Sequence, residues 1–440
     1  MFVTPLLIAA LLGAPFSPRA VVPLASPGVS ATASPVAFNP GATARAHRTT
    51  ITVLPTVSGS LTVTVESEAG APIATLVAGT PVTAGVAHEL TWNGADAADG
   101  AYAIRATVVD QAGAVSEAVA PVLVDTTPPQ VAVPPVAPAR TARGPVAIRA
   151  ASTDPSGLSS LALDVASQTG VPIGTVAIPV DADGAGGQTR WDLRIRRRLL
   201  LPGVFHLRVR ATDGAGNVGT SDVRLLRVSR AVTARRIYSL PDAGRAIGLS
   251  FDDCVEGAAM QQIIRAFRAA RAHTTFFCNG VNIGGNAAAM RAALAAGDAI
   301  GAHTWSHKEL PRYPQAVQLG EMQGDIDAWW SVARAAPTPL LRTPYGLWNE
   351  ATMRAAGQAG FAWVVFWNVD PSDYLDPAPS TLVAKVVADA RPGAIVVMHV
   401  SANTAQAVPD LIRAVRAKGL EPKSIDEMLG PAAYLSPASG

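Results

Sequence analysis

The feature that most constrains the fold of this chain is a series of short apolar segments in its second half. They lie at 246–251, 273–278, 298–302, 339–342, 361–369 and 393–400. The stretches between them include helical patterns rich in alanine and arginine. Repeated strand–helix units predict a parallel sheet, either a barrel or a doubly wound sheet. In both folds the functional residues lie at the carboxyl ends of the strands.

Two acids and two histidines follow strands of this predicted sheet. Asp252 and Asp253 end the first apolar segment, and His303 and His307 follow the third. A His-x-x-x-His spacing on a helical turn would bring both imidazoles to one face. One carboxylate and two histidines, with a position left for water, match a catalytic zinc site. For the histidine pair alone, a polar helix face remains the alternative.

Three further polar residues stand at or just beyond strand ends. Arg342 ends a strand, where it could keep a carboxylate ionised or form an ordinary salt bridge. Asp373 follows the apolar segment that ends near Val369. His399 ends the last strand, and a carboxylate neighbour would raise its pKa toward that of a general acid. A satisfied core histidine is the alternative for His399.

The first half of the chain carries a different pattern. Residues 100–113 and 203–217 share an outline of an alternating strand followed by an Asp/Gly turn, and a second strand follows each. This period-2 alternation predicts two β-sandwiches. The first sandwich resembles bacterial immunoglobulin-like modules of the flagellar hook-cap type, through Leu90–Gly94 and Asp99-Gly100. Asp125–Pro129 is the predicted joint between the sandwiches.

Composition restricts the partners. Hydrophobic residues make up 49% of the 440 residues, charged residues 15%, and the formal net charge is +2. Without a long Lys/Arg block, nucleic acid is not expected as a partner, and no interior stretch is long and apolar enough to span a membrane. Phe2–Leu12 resembles the apolar core of a secretory signal, although no basic residue precedes it. Export is expected, with an uncleaved anchor or a misplaced start codon as alternatives.

Together, the strand-end residues resemble the five ordered motifs of the polysaccharide deacetylases, the family with the NodB-homology domain, also called carbohydrate esterase family 4. The resemblance covers about residues 244–430. It implies a distorted (β/α) barrel of NodB type with seven or eight strands. The expected organisation is a signal segment at 1–20, a Pro/Ala/Ser linker at 21–46, immunoglobulin-like modules at 47–125 and 126–232, and the deacetylase domain at 233–440.

The resemblance implies a role for each motif residue. Asp252 would be the general base, Asp253, His303 and His307 the metal ligands, Arg342 the residue that orients the base, and His399 the general acid tuned by Asp373. The Tyr345 backbone N–H would help to hold the oxyanion, and Tyr374 and Val397 would line the pocket. The cofactor would be one divalent ion, preferably Zn²⁺, with Co²⁺, Mn²⁺ or Ni²⁺ as alternatives.

The implied function is removal of N-acetyl groups from an extracellular glycan, such as peptidoglycan or a chitin-like polymer, by a secreted or wall-associated bacterial monomer. Alternatives are an O-acetyl esterase acting on xylan, a small-amide amidohydrolase, and a non-enzymatic glycan-binding or adhesion protein. The motifs depart from the family pattern at Ser250, Cys254, Thr343, Tyr374 and Val397. None of these departures removes a charged catalytic group, so activity is still expected. The departures at Tyr374, Val397 and Cys254 bear on pocket shape and hence on substrate choice.

The two cysteines end neighbouring strands. Cys254 follows the Asp pair and Cys278 ends the second apolar segment, so both lie at the same end of the predicted sheet. A disulfide between them is geometrically reasonable and fits an exported protein. The alternative is a free thiol that adds to the metal site.

Overall fold

The structure is a computed structural model that describes residues 28–42, 47–135 and 145–436. The predicted signal segment, 1–20, lies outside the described residues. Within the described ranges, no helix has the length and apolar character needed to cross a membrane.

Two sheets that enclose one apolar core form the first β unit. Their strands are β1 (Val29–Ser34), β2 (Ala37–Phe38), β3 (Thr49–Pro55), β4 (Gly59–Ser67), β5 (Pro72–Val82), β6 (His88–Trp92), β7 (Gly100–Asp110) and β8 (Val115–Val124). The sheet orders are β1-β3-β6 and β2-β8-β7-β4-β5. Buried and part-exposed residues alternate along β4 and β7, because successive side chains of a strand point to opposite faces.

Part of the predicted linker belongs to this first unit. β1 and β2 fall within residues 21–46, and Val29 and Phe38 are buried in the core. The segment looks like a linker because β1 is built of small residues. β1 forms by pairing with β3, from Val29 opposite Pro55 to Ser34 opposite Thr50, and local composition does not reveal that contact.

The second β unit has the same plan. Its strands are β9 (Gln130–Ala132), β10 (Val146–Thr153), β11 (Leu158–Ser167), β12 (Pro172–Ile178), β13 (Gly186–Trp191), β14 (Arg194–Ile195), β15 (Arg198–Leu199), β16 (Gly203–Asp213), β17 (Val218–Thr220) and β18 (Arg224–Val228). The sheet orders are β13-β10-β9 and β12-β11-β16-β17, with β18 also beside β16. The described residues before 233 therefore lie mainly in β strands, and their likeness to immunoglobulin modules stays a prediction.

The C-terminal domain is a curled parallel sheet covered by helices. Its strands are β19 (Arg235–Ile237), β20 (Ala246–Asp253), β21 (Thr275–Cys278), β22 (Ala299–Ala302), β23 (Leu340–Leu341), β24 (Trp363–Val365), β25 (Ile395–His399) and β26 (Glu421–Pro422). The order is β19-β24-β23-β22-β21-β20-β25, with β26 beside β20. A parallel bridge between Val369 and Val396 connects the segment after β24 to β25. The sheet thus forms an incomplete barrel.

Helices surround this sheet. They are α1 (Gly257–Ala269), α2 (Gly280–Ile283), α3 (Ala287–Ala296), α4 (Gln315–Ala333), α5 (Glu350–Ala359), α6 (Pro379–Asp389), α7 (Ala402–Ala417) and α8 (Ile425–Leu429), with 3-10 turns at Leu310–Arg312, Pro344–Gly346, Asp373–Leu375 and Gly430–Ala433. Phe276 and Val396 belong to the outer core, whereas their neighbours Phe277 and Ile395 belong to the inner one. Because both faces are buried, these strands are continuously apolar. Helix α8 differs from the other helices in that its Ile425 packs in the inner core.

Candidate active site

The candidate site lies where β20, β21 and β25 end. Asp252 of β20 is in register with Phe277 of β21 and His399 of β25. Residues at the same level of parallel strands share a face, so Asp252 and His399 project to the same side of the sheet as the inner residue Phe277. The polar residues at the strand ends therefore converge at the carboxyl mouth of the incomplete barrel.

Asp252 and Asp253 reach one site although they are neighbours in sequence. In a regular strand they would point to opposite faces. Asp253 has φ 68° and Cys254 φ 54°, which ends the alternation. Asp252 Oδ2 lies 3.9 Å and Asp253 Oδ1 3.5 Å from His303 Nε2. The left-handed turn thus presents both carboxylates to the same imidazole.

Two asparagine side chains and a disulfide hold this turn, and a third asparagine holds the neighbouring His303 loop. Asn282 Nδ2 donates to the Asp253 carbonyl (2.9 Å), and Asn286 Nδ2 donates to the carbonyl of Cys254 (3.0 Å). Asn279 Nδ2 donates to the His303 carbonyl (2.7 Å). Cys254 and Cys278 form the disulfide, with a Cα–Cα distance of 5.0 Å. The free-thiol alternative is therefore wrong for this structure, and the turn is tied to the end of β21.

Asp253, His303 and His307 form a group suited to a metal ion. Asp253 Oδ1 lies 3.5 Å from His303 Nε2 and 3.4 Å from His307 Nε2. Ligand atoms about 2.1 Å from a tetrahedral ion lie about 3.4 Å from one another. Asp253 Oδ1 is also buried and has no hydrogen-bond partner among the described residues. Distances, donor types and the unsatisfied oxygen all fit a divalent ion that accepts nitrogen and oxygen ligands.

The electrostatics of these three residues agree with that fit. Burial raises the pKa of Asp253, but the neighbouring His303 and His307 outweigh it and lower the pKa to about 2, so Asp253 is ionised. The Arg342 carbonyl lies 2.8 Å from His303 Nδ1. A proton on Nδ1 satisfies that carbonyl and leaves the Nε2 lone pair free to bind an ion.

The segment from His303 to His307 is a loop, and its prediction as a helical turn was wrong. Thr304 has φ 66° and His307 φ 57°, and neither value belongs to a right-handed helix. The two imidazoles still come together, with ring centroids 5.0 Å apart.

Two acids of α4 determine the shape of this loop. Asp325 Oδ2 accepts from the His303 backbone N–H (2.7 Å), and Glu321 Oε2 accepts from that of Ser306 (2.8 Å). Both acids are buried, and burial raises the pKa of Asp325 well above its usual value. Glu321 and Asp325 stand four residues apart, so they lie on one face of the helix. They fix the backbone that carries both candidate histidine ligands.

Asp252 is paired with a fully buried arginine. Arg342 Nη1 donates to Asp252 Oδ1 at 2.7 Å, and the guanidinium lies 4.2 Å from the centre of the Phe277 ring. Arg342 has no exposed surface and Asp252 only 3%. The pair gives Asp252 a short, charge-assisted hydrogen bond that fixes the orientation of its carboxyl group.

His399 is paired with Asp373 on the other side of the mouth. His399 Nδ1 lies 2.8 Å from Asp373 Oδ1, and the His399 backbone N–H donates to Asp373 Oδ2 (2.6 Å). Thr404 Oγ1 also donates to Oδ2 (2.9 Å). Burial lowers the pKa of His399, but Asp373, with Asp252 and Asp253, raises it to about 9. His399 is therefore a proton donor whose Nδ1 is held by an acid.

The C-terminal domain is similar in sequence to known proteins. A family model described as polysaccharide deacetylase matches residues 240–364. A chitooligosaccharide deacetylase of Bradyrhizobium sp. (strain ANU 289) is 31% identical over 168 residues, which cover 38% of this chain and 75% of that protein. The chain belongs to the polysaccharide deacetylase family of hydrolases.

Other relatives of this deacetylase-family chain cover the same domain. A peptidoglycan-N-acetylglucosamine deacetylase of Bacillus cereus is 28% identical over 212 residues, or 47% of this chain and 98% of that protein. Among solved structures, the family 4 carbohydrate esterase from Streptomyces lividans in complex with acetate is 27% identical, with 45% of this chain and 98% of that chain covered and a TM-score of 0.39. The family model ends at residue 364, so Asp373 and His399 lie beyond it.

The remaining predicted residues of the deacetylase-family site surround its mouth. Tyr345 follows Arg342 in a 3-10 turn with φ 57°, and its ring packs 4.5 Å from that of His307. Tyr374 is 64% exposed, and its ring centroid lies 6.2 Å from that of His399. Val397 is buried two residues before His399, on the same face of β25. Two exposed aromatic rings thus flank the polar centre.

Sequence reasoning missed a set of supporting polar residues in this site: Asn279, Asn282, Asn286, Glu321 and Asp325. Two signals were present. The asparagines recur at helical spacing directly after β21, and the two acids recur at i,i+4 on a predicted helix. Neither pattern predicts which residues these side chains contact, because each side chain contacts a loop that is distant in sequence.

Proposed function

We propose that the C-terminal domain hydrolyses N-acetyl groups of an amino-sugar glycan. The observation that carries the proposal is the convergence of a three-ligand group, an arginine-held carboxylate and an acid-held histidine at one barrel mouth. The relatives named chitooligosaccharide deacetylase and peptidoglycan-N-acetylglucosamine deacetylase support N-acetylglucosamine as the substrate unit.

Asp253, His303 and His307 would hold one divalent ion. One oxygen and two imidazole nitrogens favour Zn²⁺, and Co²⁺, Mn²⁺ and Ni²⁺ accept the same donors. When bound, such an ion supplies a Lewis acid for the acetyl carbonyl and lowers the pKa of a water molecule.

Asp252 would act as the general base. The carboxylate would accept the proton of the attacking water, because Oδ1 is engaged by Arg342 while Oδ2 faces the ligand group. Arg342 would prevent the carboxylate of Asp252 from rotating away from the ligand group. The Tyr345 backbone N–H would donate to the oxyanion that develops on the acetyl oxygen.

His399 would act as the general acid. The amine leaving group needs a proton as the C–N bond breaks, and a protonated His399 can supply it from Nε2 while Asp373 holds Nδ1. Acetate then leaves and a free amine remains on the sugar. Tyr374 and Tyr345 would border the sugar ring, since exposed aromatic faces suit its apolar side.

We also infer that the protein acts outside the cytoplasm. The Cys254–Cys278 disulfide is typical of an oxidising compartment, and the relatives named for peptidoglycan point to a cell-wall polymer.

Acetate release from a substrate panel tests the function. The panel contains N-acetylated chitooligosaccharides, peptidoglycan fragments, O-acetylated xylan and a small acetamide, each assayed after chelation and again after Zn²⁺ is restored. We expect release from an N-acetylglucosamine polymer, loss with chelator and recovery with metal. Release only from xylan or the small amide would move the function to the corresponding alternative. No release from any substrate with metal present would favour a non-enzymatic binding protein.

A further inference from the structure

A second acidic group lies far from the barrel mouth, at the joint between the two β units. Asp125 ends the first unit, Asp154 follows β10, and Asp213 ends β16. One oxygen from each lies within 4.8 Å of the others. Asp125 is only 2% exposed and Asp213 only 1%. Three carboxylates gathered in a mostly buried space repel one another and lose hydration, so the arrangement requires compensation.

Among the described residues, the contacts of these acids leave one buried carboxylate oxygen without a hydrogen-bond partner. Asp213 accepts from the Asn217 backbone and side chain, and Asp154 Oδ1 accepts from the N–H and hydroxyl of Ser156. Asp125 Oδ1 accepts from the Thr127 N–H (3.1 Å). Asp125 Oδ2 is buried and has no hydrogen-bond partner within the described part of the chain.

The carboxylates of the cluster act on one another. Burial raises the pKa of Asp154 to about 6, and the carboxylates of Asp125 and Asp213 add to the rise. Burial also raises the pKa of Asp213, with Asp125 adding to it. Members of the cluster are thus among the charged groups that act on Asp154 and Asp213.

The cluster sits within a network that connects the two units. Asn39 of the first unit donates to Asn217 Oδ1 (2.6 Å), and Asn217 Nδ2 donates to the carbonyl of Asp125 (2.9 Å). At Gly219 of β17, a Cβ atom would lie 1.9 Å from the Pro129 carbonyl oxygen, so the joint packs directly on the second unit. Asp125 therefore belongs to a segment whose backbone is already held from both sides.

We propose that Asp125, Asp154 and Asp213 bind a Ca²⁺ ion that fixes the joint between the two β units. All the side-chain donors are oxygens, as Ca²⁺ requires, and backbone carbonyls lie beside them. The absence of nitrogen and sulfur donors in the cluster disfavours Zn²⁺, and irregular loop ligands suit Ca²⁺ better than the strict octahedron of Mg²⁺. The dication would supply the missing charge and a partner for Asp125 Oδ2.

The proposed ion changes the mechanical behaviour of the chain. Without it, repulsion among the carboxylates opposes the packed joint. With it, Asp125 at the end of the first unit and Asp154 and Asp213 of the second unit bind the same ion. The first unit would then be held at a fixed angle to the rest of the protein at the calcium concentrations found outside cells.

Calcium binding by the full chain tests the proposal. Metal-free wild type and Asp125→Asn, Asp154→Asn and Asp222→Asn variants are dialysed against ⁴⁵Ca²⁺, and thermal unfolding is followed with and without CaCl₂. Asn preserves the shape of Asp125 and the acceptor for the Thr127 N–H. Asp222 is the matched control, because it lies in the second β unit, as Asp154 does, and its side chain is 89% exposed.

We expect wild type and Asp222→Asn to bind one more Ca²⁺ per chain than the Asp125→Asn or Asp154→Asn variant, with a Kd of about 10⁻⁴–10⁻³ M, as in extracellular modules. CaCl₂ should raise the melting temperature of the first two proteins only. Equal binding by all four proteins, or none by wild type at millimolar Ca²⁺, would overturn the proposal. If Asp125→Asn fails to fold, Asp154→Asn gives the same comparison.

Discussion

At the scale of single residues, the site depends on an exception to strand geometry. Asp252 and Asp253 could not serve one centre if β20 kept its alternation, and the positive φ of Asp253 and Cys254 removes that obstacle. Such backbone is unfavourable for residues other than glycine, by about 1–3 kcal/mol each. The two asparagine contacts and the disulfide compensate by holding the turn from neighbouring segments.

The disulfide adds stability of its own kind. It closes a loop with a sequence separation of 24 between Cys254 and Cys278. In the chain-entropy model, closing a loop of that length lowers the entropy of the unfolded chain and adds about 3 kcal/mol to the free energy of unfolding. The pair thus contributes to the free energy of unfolding as well as to the placement of the Asp252–Asp253 turn.

The Asp373–His399 pair gives a prediction about pH. Because its pKa is raised, His399 stays protonated to higher pH, and a rate that needs this proton falls as pH rises through that pKa. Replacing Asp373 by Asn removes an adjacent negative charge and should lower the pKa of His399. The alkaline limb of the kcat profile should therefore shift to lower pH by about 1–3 pH units. The measurement is kcat against pH for wild type and Asp373→Asn.

Asp376→Asn is the control for that series. Asp376 is exposed three residues away and contacts Asn403, not His399. Its profile should match that of wild type. An unchanged alkaline limb in Asp373→Asn would contradict the role of Asp373 in tuning His399.

At the scale of elements, helix α4 builds the loop of the two histidine ligands. Asp325 holds the backbone of His303, so Asp325→Ala should weaken Zn²⁺ binding by about 10–100-fold, as for other residues that orient metal ligands. Zn²⁺ affinity is measured by competition with a chromophoric chelator. Asp327→Ala, an exposed position on the same helix, should leave the affinity unchanged. Equal affinities for the two variants would show that Asp325 does not position the loop.

The elements also show what the sequence could predict. Apolar strands that end in polar residues predicted a parallel sheet, either a barrel or a doubly wound sheet, with functional residues at the carboxyl ends of its strands. The distorted barrel was implied only by the resemblance to the polysaccharide deacetylases. The helical turn at 303–307 was wrong, because Glu321 and Asp325 stabilise a loop with positive φ that His-x-x-x-His spacing does not encode. The linker boundary failed similarly, since β1 depends on pairing with β3.

At the scale of the whole molecule, the second β unit and the barrel share a core. Ala433, Tyr434 and Leu435 belong to the apolar cluster of the second unit, and the Tyr434 ring meets Phe205 edge-on at 6.0 Å. Thr169 Oγ1 also donates to Asp426 Oδ2 (2.8 Å). The chain beyond the barrel sheet thus anchors the second unit.

This shared core leaves the candidate site accessible. The Ile425 N–H, beside Asp426, donates to the hydroxyl of Thr275, which begins β21, whereas Cys278 ends the same strand near the Asp252–Asp253 turn. The second unit therefore contacts the amino end of the sheet, opposite the mouth. A polymeric substrate can approach the carboxyl ends without displacing it.

The central claim is that two adjacent carboxylates have different roles: Asp252 is the general base, and Asp253 is a ligand of the metal ion. Acetate release and bound Zn²⁺ are measured on the same full-length preparations of wild type, Asp252→Asn and Asp253→Asn. Asp252→Asn should keep one Zn²⁺ per chain and lose about 10²–10⁴-fold in kcat, the usual contribution of a general base. Asp253→Asn should lose both the metal and the activity. Acetate release at the wild-type rate by Asp252→Asn, or full Zn²⁺ retention by Asp253→Asn, would contradict the account.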